Sequence, residues 1–317
     1  MRTSTSTRWS DFLLLALGAK DNSSRVLVLG AGGFLGQHVV TTLGERALAH
    51  ARTPQLAASP ALTADLADPD QLAQLLKSST ARALINCAAA ASAACEGDPA
   101  MAATLNTDLP RALGEWAARE GARVVHVSTD LVFGTEPAPA GGFREEDEPA
   151  PVSAYGETKA GGERALLEAC PKAMVVRLPL LYGDSYGSGR GASDDLFGIL
   201  ARGERARLFT DEWRTPLPVS VAAQALVELV DGETSGILHV AGSERVSRLE
   251  LGLALHARRF GDPDKAVREI EGCARADLGL SPPRPEDTSL CTRRAQDILR
   301  TALPNLAEGA RAALDPA

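Results

Sequence analysis

The sequence predicts an α/β fold, a Rossmann-type doubly wound parallel sheet followed by a smaller C-terminal region. Two observations support this prediction. From Arg25 onward, short apolar runs alternate with Ala-rich helical stretches, which is the pattern of successive βαβ units. The first run is followed directly by Gly30, Gly33 and Gly36 and then by a helical pattern. With 317 residues and 44% apolar side chains, the chain has enough material for a large core.

The same alternation predicts where the individual elements lie. Apolar runs predict strands at 25–29, 47–52, 82–87, 123–128, 173–177 and 236–240, with a brief strand ending near Thr63. Helical spacing predicts helices over about 33–44, 69–77, 98–119, 194–202, 221–230 and 248–260, and one that carries Tyr155. The segment 134–152 contains several prolines and is expected to be a loop.

Composition and charge exclude several classes of function. The net charge is −8, from 33 basic and 41 acidic side chains, and there is no long basic run, so nucleic acid is not an expected partner. No apolar stretch approaches the roughly 20 residues that cross a bilayer, so no membrane association is expected. The cysteines are odd in number and widely spaced, so a reducing, cytoplasmic location is expected. The 5 cysteines lack a CxxC pair and the histidines lack ligand spacing, so no metal site is expected.

The glycines at 30, 33 and 36 are the first candidate functional feature. Their GxxGxxG spacing between a strand and a helix suits a dinucleotide pyrophosphate, which needs a tight turn, close backbone approach and free amides at a helix N-terminus. A flexible turn without a ligand is the alternative, because a glycine triplet alone is a weak motif. The position at the front of a βαβ series favours the dinucleotide site.

The choice between NADP and NAD depends on the end of the second strand, where an acid would bind a ribose 2′-hydroxyl and a cation a 2′-phosphate. Arg52 stands there and no acid does, so we expect NADP(H), with NAD(H) left open; an exposed loop arginine is the alternative. Asp65, followed by Leu66, is placed to meet the adenine edge, although a turn-forming acid would have the same sequence. Three small residues end the fourth strand and would let the backbone lie against the cofactor: Ala88, Ala89 and Ala90.

Tyr155 and Lys159 are the candidate catalytic pair. They are four residues apart in a predicted helix and therefore project from one face, where an ammonium near a phenol favours the phenolate. A surface Tyr and Lys would give the same spacing. Ser128 and Thr129 favour the catalytic interpretation, because they end a strong predicted strand and ligands of open α/β sheets bind at strand ends.

Together these motifs resemble an extended short-chain dehydrogenase/reductase, specifically the dTDP-4-dehydrorhamnose reductase-like group. The resemblance covers about residues 25–300. The segments that carry it are 26–36, 84–89, 96–106, 127–134, 145–159, 177–183 and 284–290.

The resemblance implies a reductase of a keto group, most simply the 4-keto group of a nucleotide-activated deoxysugar. Tyr155 would protonate the ketone oxygen, Lys159 would bind the nicotinamide ribose and lower the tyrosine pKa, and Thr129 would orient the ketone. Asp130 falls at a substrate contact, and Arg214 is a candidate clamp for a diphosphate. The family's cofactor contacts fall on Gly33, Phe34, Leu35, Asp65, Leu66, Ala88, Ala89 and Ala90.

Two positions depart from the pattern of such reductases. Leu131 replaces the usual tyrosine of the STDYVF motif, and Leu180 stands where a tryptophan packs the sugar, so the presumed pocket loses aromatic surface. The segments 143–151 and 177–183 are closer to the regulatory β subunit of methionine adenosyltransferase, an NADP-binding partner protein. An NADP-binding regulatory subunit, with a partner enzyme, and a reductase or epimerase of another small carbonyl compound are therefore the alternatives.

The predicted organisation has three parts. Residues 1–24 are an N-terminal extension, either disordered or a targeting peptide; residues 25–180 form the NAD(P)-binding core. Residues 181–317 are mostly the substrate-binding region, with some segments returning to the core. The expected partner is a small-molecule substrate, and the oligomeric state, including a homodimer, is left open.

Overall fold

The structure is a computed structural model that describes residues 25–53, 61–187, 189–279 and 284–315. The predicted N-terminal extension lies outside these residues. The strands are β1 (Val26–Leu29), β2 (Ala47–Ala51), β3 (Leu62–Thr63), β4 (Ala83–Asn86), β5 (Arg123–Thr129), β6 (Met174–Leu178), β7 (Leu181–Tyr182), β8 (Ala206–Phe209), β9 (Trp213–Arg214), β10 (Leu217–Pro218), β11 (Gly236–His239), β12 (Val246–Ser247) and β13 (Ile270–Cys273).

Helices connect most of these strands. They are α1 (Phe34–Leu43), α2 (Pro69–Ser79), α3 (Ser92–Gly97), α4 (Pro99–Ala103), α5 (Leu109–Glu120), α6 (Ala154–Ala169), α7 (Ala192–Ala201), α8 (Val219–Asp231), α9 (Arg248–Phe260), α10 (Pro263–Glu269), α11 (Arg293–Ile298) and α12 (Leu306–Leu314).

The central element is a seven-stranded sheet in the order β3-β2-β1-β4-β5-β6-β11. Every neighbouring pair in it is parallel. The chain builds outward from β1 through β2 to β3 and then crosses back to β4, so the order reverses between β1 and β4. This confirms the predicted doubly wound parallel sheet, in which ligands bind outside the carboxyl ends of the strands at such a reversal.

Apolar side chains cover the sheet on both faces. One core combines β1, β5 and β6 with α1 and α8, for example Val39 of α1 and Leu226 of α8, which are fully buried. The other core combines the same sheet with α2, α5 and α6, represented by Leu75, Leu113 and Leu166. Burial on both faces explains why the strands lack polar alternation.

The second half of the chain contributes both to the sheet and to a separate core. The strand β11 pairs with β6 at the sheet edge, so this part of the C-terminal half joins the first half. A third apolar cluster joins α7, α9, β13 and α12, and it includes Leu196, Leu255 and Ile270. The assignment of residues 181–317 to substrate binding stays a prediction.

The helix predicted over 98–119 is present from Pro99 to Glu120, but it contains a π-helical turn that was not predicted. Asp98 caps a new helix, accepting the N–H of Met101 at 3.0 Å, with Pro99 in its first turn. The helix α4 then gives way to a π-helical turn, Thr104–Asp108, before α5 begins. Helical spacing of apolar residues cannot distinguish this interrupted helix from a regular one, because the interruption is set by side-chain contacts with distant segments.

Among the helices of the described ranges, none combines the length and apolarity required to cross a membrane.

Candidate active site

The glycine-rich turn lies at the reversal point of the sheet. It follows β1, and the Gly33 N–H donates to the Gly30 carbonyl oxygen at 3.0 Å before α1 begins. Gly30 has a φ of +74°, and a Cβ there would lie 2.8 Å from the backbone nitrogen of Ala88. A Cβ on Gly36 would collide with the Gly30 carbonyl oxygen. The turn therefore requires glycine at both places, and it presents the first amides of α1, which have no acceptor within the helix, at the strand ends. The residues present fit a dinucleotide pyrophosphate.

The segment after β4 forms the opposite side of this crevice. The Ala90 N–H donates to Oδ1 of Asn106 at 2.9 Å, and Nδ2 of Asn106 donates back to the Ala90 carbonyl at 3.2 Å. The same Nδ2 reaches Oγ1 of Thr158 on α6 at 3.1 Å. Asn106 is fully buried and lies in the π-helical turn, a feature found often at functional sites. Asn106 was not among the candidate residues, although the segment ending at it carried the family resemblance.

Tyr155 lies in the first turn of α6. Ser153 caps this helix, since its Oγ accepts the N–H of Gly156 at 3.2 Å. A side chain at Gly156 would collide with the carbonyl oxygen of Leu131, so the start of α6 packs closely on the loop that follows β5. The half-buried Tyr155 ring packs on the small apolar cluster of Ala90 and its neighbours. The loop after β5 and the start of α6 are thus brought together at the strand ends.

The electrostatic environment of Tyr155 differs from the sequence expectation. Burial raises the pKa of the Tyr155 phenol, and Asp130 and Cys95 raise it further. The net shift of the Tyr155 pKa is therefore upward, opposite to the expected lowering, because desolvation dominates. A protonated phenol at neutral pH is, however, the form that can donate a proton.

Lys159 is directed at β5 rather than at solvent. Its Nζ donates to the Val127 carbonyl at 2.7 Å and lies 3.2 Å from Nε2 of His126, and the residue is 2% exposed. Burial lowers the pKa of Lys159 to about 8, while Glu163 and two thiols act in the opposite direction. The amine is thus within reach of losing its proton near neutral pH.

Thr129 and Asp130 end β5 and form a buried polar group with Arg214. Thr129 Oγ1 donates to Oδ1 of Asp130 at 3.1 Å, and Thr288 Oγ1 donates to Oδ2 at 2.7 Å. Arg214 Nε lies 3.5 Å from Oδ2 of Asp130 and Nη2 lies 3.5 Å from Oε1 of Glu212. Burial raises the pKa of Asp130, and the Arg214 charge opposes this. Two predicted substrate residues, 84 positions apart in the numbering (214 − 130), are therefore in direct contact.

Comparison with known proteins identifies the family. The family model named RmlD substrate binding domain matches residues 24–317. The chain belongs to this family. The resemblance predicted from the motifs, to the dTDP-4-dehydrorhamnose reductase-like extended short-chain dehydrogenases/reductases, is confirmed.

The chain is similar to both reductases and a regulatory subunit. It is 34% identical over 304 residues to the probable low-salt glycan biosynthesis reductase Agl14 of Haloferax volcanii, covering 92% of this chain and 97% of that one. It is 32% identical over 279 residues to dTDP-4-dehydrorhamnose reductase of Mycobacterium tuberculosis, covering 86% of each. It is also 30% identical over 256 residues to methionine adenosyltransferase 2 subunit beta of Pongo abelii, covering 78% and 75%.

Solved structures show the same fold. A hypothetical dTDP-4-dehydrorhamnose reductase from Sulfolobus tokodaii superposes with a TM-score of 0.76 at 28% identity, over 90% of this chain and 98% of that one. The Bacillus anthracis dTDP-4-dehydrorhamnose reductase in complex with NADP superposes with a TM-score of 0.76 at 22% identity, over 92% and 98%.

In this member of the RmlD family, the remaining cofactor candidates occupy different environments. Arg52 directly follows β2, the strand beside β1, and its side chain is exposed at the same edge as the glycine turn. Asp65 is exposed and accepts the Ala67 N–H at 3.0 Å, which favours the turn-forming interpretation left open by the sequence. Leu66 is buried in the core.

The two departures from the family pattern also lie in different surroundings. Leu131 is half-buried beside Thr129, whose Oγ1 accepts the Leu131 N–H at 3.2 Å. Leu180 is half-buried and packs on the third apolar cluster. Leu131 thus lies at the predicted ketone-binding residues, whereas Leu180 contacts the C-terminal core.

A buried charge cluster adjoins the Asp130 group through Arg214, and its carboxylate, Glu212, was not among the predicted residues. Glu212 is 3% exposed, and its carboxylate lies 3.5 Å from Arg214, 3.6 Å from Arg284 and 4.0 Å from Arg248. One oxygen of Glu212 and one nitrogen of Arg248 are buried without a hydrogen-bond partner.

An open cavity of about 620 Å³ lies elsewhere, between α2 and α5 at the amino ends of the strands, lined by Leu72, Trp116 and their neighbours. The glycine turn and Thr129 lie at the other, carboxyl ends of the strands. We place the candidate active site at the carboxyl edge, because the chemical groups converge there.

Proposed function

We propose that this chain is an NADP-dependent reductase that converts a keto group of a nucleotide-activated deoxysugar, namely its 4-keto group, into an alcohol. The observation that carries the proposal is the convergence of Tyr155, Lys159 and Thr129 at the strand ends beside the glycine turn. Similarity to named reductases over 86% to 92% of the chain supports it.

The chain's own residues suit an NADP molecule at this edge of the sheet. The turn from Gly30 to Gly36, which includes Phe34 and Leu35, would hold the pyrophosphate, and Arg52 would face the 2′-phosphate. When bound, the nicotinamide supplies a hydride to the carbonyl carbon.

The remaining steps belong to side chains. The Tyr155 phenol, kept protonated by burial, donates its proton to the carbonyl oxygen as the carbon accepts hydride, and the product is an alcohol. The Thr129 hydroxyl turns its one hydrogen from Oδ1 of Asp130 to the same oxygen and orients the ketone. The Lys159 ammonium stabilises the phenolate left behind and binds the ribose, so its proton must be retained during turnover.

The second candidate is an NADP-binding regulatory subunit. It is favoured by Leu131, which removes aromatic surface beside Thr129, and by the 30% identity to the methionine adenosyltransferase subunit.

A substrate panel separates the two candidates. We expect NADPH oxidation by at least one dTDP-4-keto-6-deoxysugar, with smaller rates for simple ketones. If no ketone in the panel is reduced, while NADP binds tightly and a larger enzyme co-purifies with the chain, the reductase proposal fails and the regulatory candidate replaces it.

Replacing Arg52 with Ala is expected to weaken NADPH recognition. Loss of a charged contact to the 2′-phosphate should lower kcat/KM for NADPH by about 10- to 100-fold, since such contacts are worth about 1.5–3 kcal/mol. Steady-state kinetics with both cofactors would measure this, and kcat/KM for NADH should stay nearly constant. A wild-type preference for NADH, or equal losses with both cofactors, would contradict the assignment.

Replacing Gly36 with Ala is expected to displace the start of α1 from the turn, because the added Cβ collides with the Gly30 carbonyl. We expect NADP affinity, measured by calorimetry, to fall about tenfold or more, equivalent to about 1.4 kcal/mol. The matched control is Gly97→Ala, whose Cβ meets nothing within 4 Å. Since alanine favours helices, the control should bind normally; equal affinity in Gly36→Ala would refute the close-packing argument.

A further inference from the structure

A chain of buried polar groups connects the crevice to Lys159. Asn86 and His126 are register partners on β4 and β5, and both are fully buried. Oδ1 of Asn86 accepts the Ala88 N–H at 3.1 Å, and Nδ2 of Asn86 lies 3.0 Å from Nδ1 of His126. On the other side of the ring, Nε2 lies 3.2 Å from Nζ of Lys159. The chain therefore runs from a backbone amide beside the glycine turn to the amine.

The donors and acceptors of this chain determine where the His126 hydrogen lies. Burial holds the pKa of His126 well below its usual range, and the Lys159 charge lowers it further when that amine is protonated, so the ring is neutral and has one N–H. The Ala88 N–H requires an acceptor, which places Oδ1 of Asn86 on that side and its NH₂ toward the ring. Nδ1 must then accept, and the hydrogen lies on Nε2, facing Lys159.

An Nε2–H directed at Lys159 favours the neutral amine. The amine has a lone pair that accepts this hydrogen, whereas the ammonium has only donors. The ammonium would require the other ring tautomer, and hence a rotation of the Asn86 carboxamide that removes the acceptor of the Ala88 N–H. Protonation of Lys159 is therefore coupled to the backbone of the cofactor-facing segment.

We propose that His126 is a positioning residue, held in its Nε2–H form by Asn86, that lowers the proton affinity of Lys159. The inference rests on the proposed function only for its effect on turnover.

The other titratable groups around Lys159 act differently. Those that act on it from the surrounding elements are Glu163 on α6, Cys87 after β4 and Cys95 on α3. The carboxylate and the two thiols favour the ammonium, and burial opposes it. Apart from burial, His126 is the group whose hydrogen-bond geometry favours the neutral amine.

The tautomer can be measured without altering the site. Long-range ¹⁵N NMR spectra of the full chain, labelled in histidine, should show His126 as the neutral Nε2–H form at pH 7, with its signals identified by their loss in His126→Gln. The Nδ1–H form, or an imidazolium, would overturn the proposal.

A lysine titration tests the consequence. The lysines are few enough to resolve by ¹³Cε NMR: Lys20, Lys77, Lys159, Lys172 and Lys265. In His126→Gln a carboxamide oxygen can accept from the ammonium, so the pKa of Lys159 should rise by about one unit or more. Val124→Ala is the control, because it removes buried volume on the same face of β5, two residues earlier. It should leave the pKa of Lys159 unchanged. An unchanged pKa in His126→Gln would refute the proposal.

A second variant, Asn86→Asp, tests the proposal independently in case His126→Gln does not fold. In Asn86→Asp the carboxylate accepts from Nδ1–H, which turns the Nε2 lone pair toward Lys159. This variant should give the opposite tautomer and raise the pKa of Lys159. A retained Nε2–H form would count against the proposal.

The pH profile links the site to turnover. The Lys159 ammonium is present below its pKa of about 8 and lost as pH rises through it, so kcat/KM for reduction should fall on the alkaline side. In His126→Gln this alkaline limb should move upward by the same interval as the lysine titration. A shifted titration without turnover of any ketone would refute the reductase function and leave the positioning of Lys159 intact. Ketone turnover with an unshifted Lys159 titration would refute the positioning role of His126 and leave the reductase function intact.

Discussion

Replacing Tyr155 with Phe is expected to lower kcat for ketone reduction by about 10²- to 10⁴-fold, the usual contribution of a positioned general acid. The phenylalanine ring keeps the packing against the Ala90 cluster but cannot donate a proton. NADP affinity should change little, because the glycine turn is untouched. Stopped-flow or steady-state NADPH oxidation, together with calorimetric NADP binding, would measure both effects.

The matched control for this substitution is Tyr182→Phe. Tyr182 is also buried, at 1% exposure, but it lies in the third apolar cluster. The same loss of a hydroxyl there should leave kcat within about twofold. Full activity of Tyr155→Phe would show that another group protonates the ketone, whereas equal losses in both variants would indicate a general effect on folding.

Replacing Arg177 with Met is expected to lower the free energy of unfolding by about 3–5 kcal/mol, because it leaves a buried charge uncompensated. Arg177 is 1% exposed, and its Nη2 and Nε lie 2.7 Å and 3.0 Å from the Glu163 carboxylate. Ser128 Oγ donates to the same carboxylate at 2.5 Å. The pair therefore joins β5, β6 and α6 directly behind Thr129.

Urea unfolding would measure this change against an exposed pair. Arg202 and Glu204 are hydrogen-bonded at 2.8 Å, but both side chains are 57% exposed, so Arg202→Met should leave the free energy of unfolding nearly unchanged. Adding Glu163→Gln to Arg177→Met should recover part of the loss, since the unpaired charge is removed. A loss below about 1 kcal/mol in Arg177→Met would show that water or a neighbouring group compensates Glu163.

The sequence determined the fold class and the chemistry of the candidate site. Alternating apolar and helical patterns predicted the parallel strands, because local periodicity reflects which faces are buried. The glycine turn was predicted because a tight turn with close backbone approach requires glycine at fixed positions, and Gly30 and Gly36 occupy them. The Tyr155 and Lys159 pair was predicted because a four-residue spacing places side chains on one helix face.

The tertiary structure decided how those residues are used. The direction of the Lys159 amine, the pKa of Tyr155 and the contact of Asp130 with Arg214 depend on segments that are distant in the sequence. The π-helical turn at Asn106 likewise depends on its contacts with Ala90 and Thr158. Periodicity and spacing describe one segment at a time, whereas burial and hydrogen bonding arise only when segments pack together. The sequence therefore identified Tyr155 and Lys159, and packing determined the pKa of each side chain.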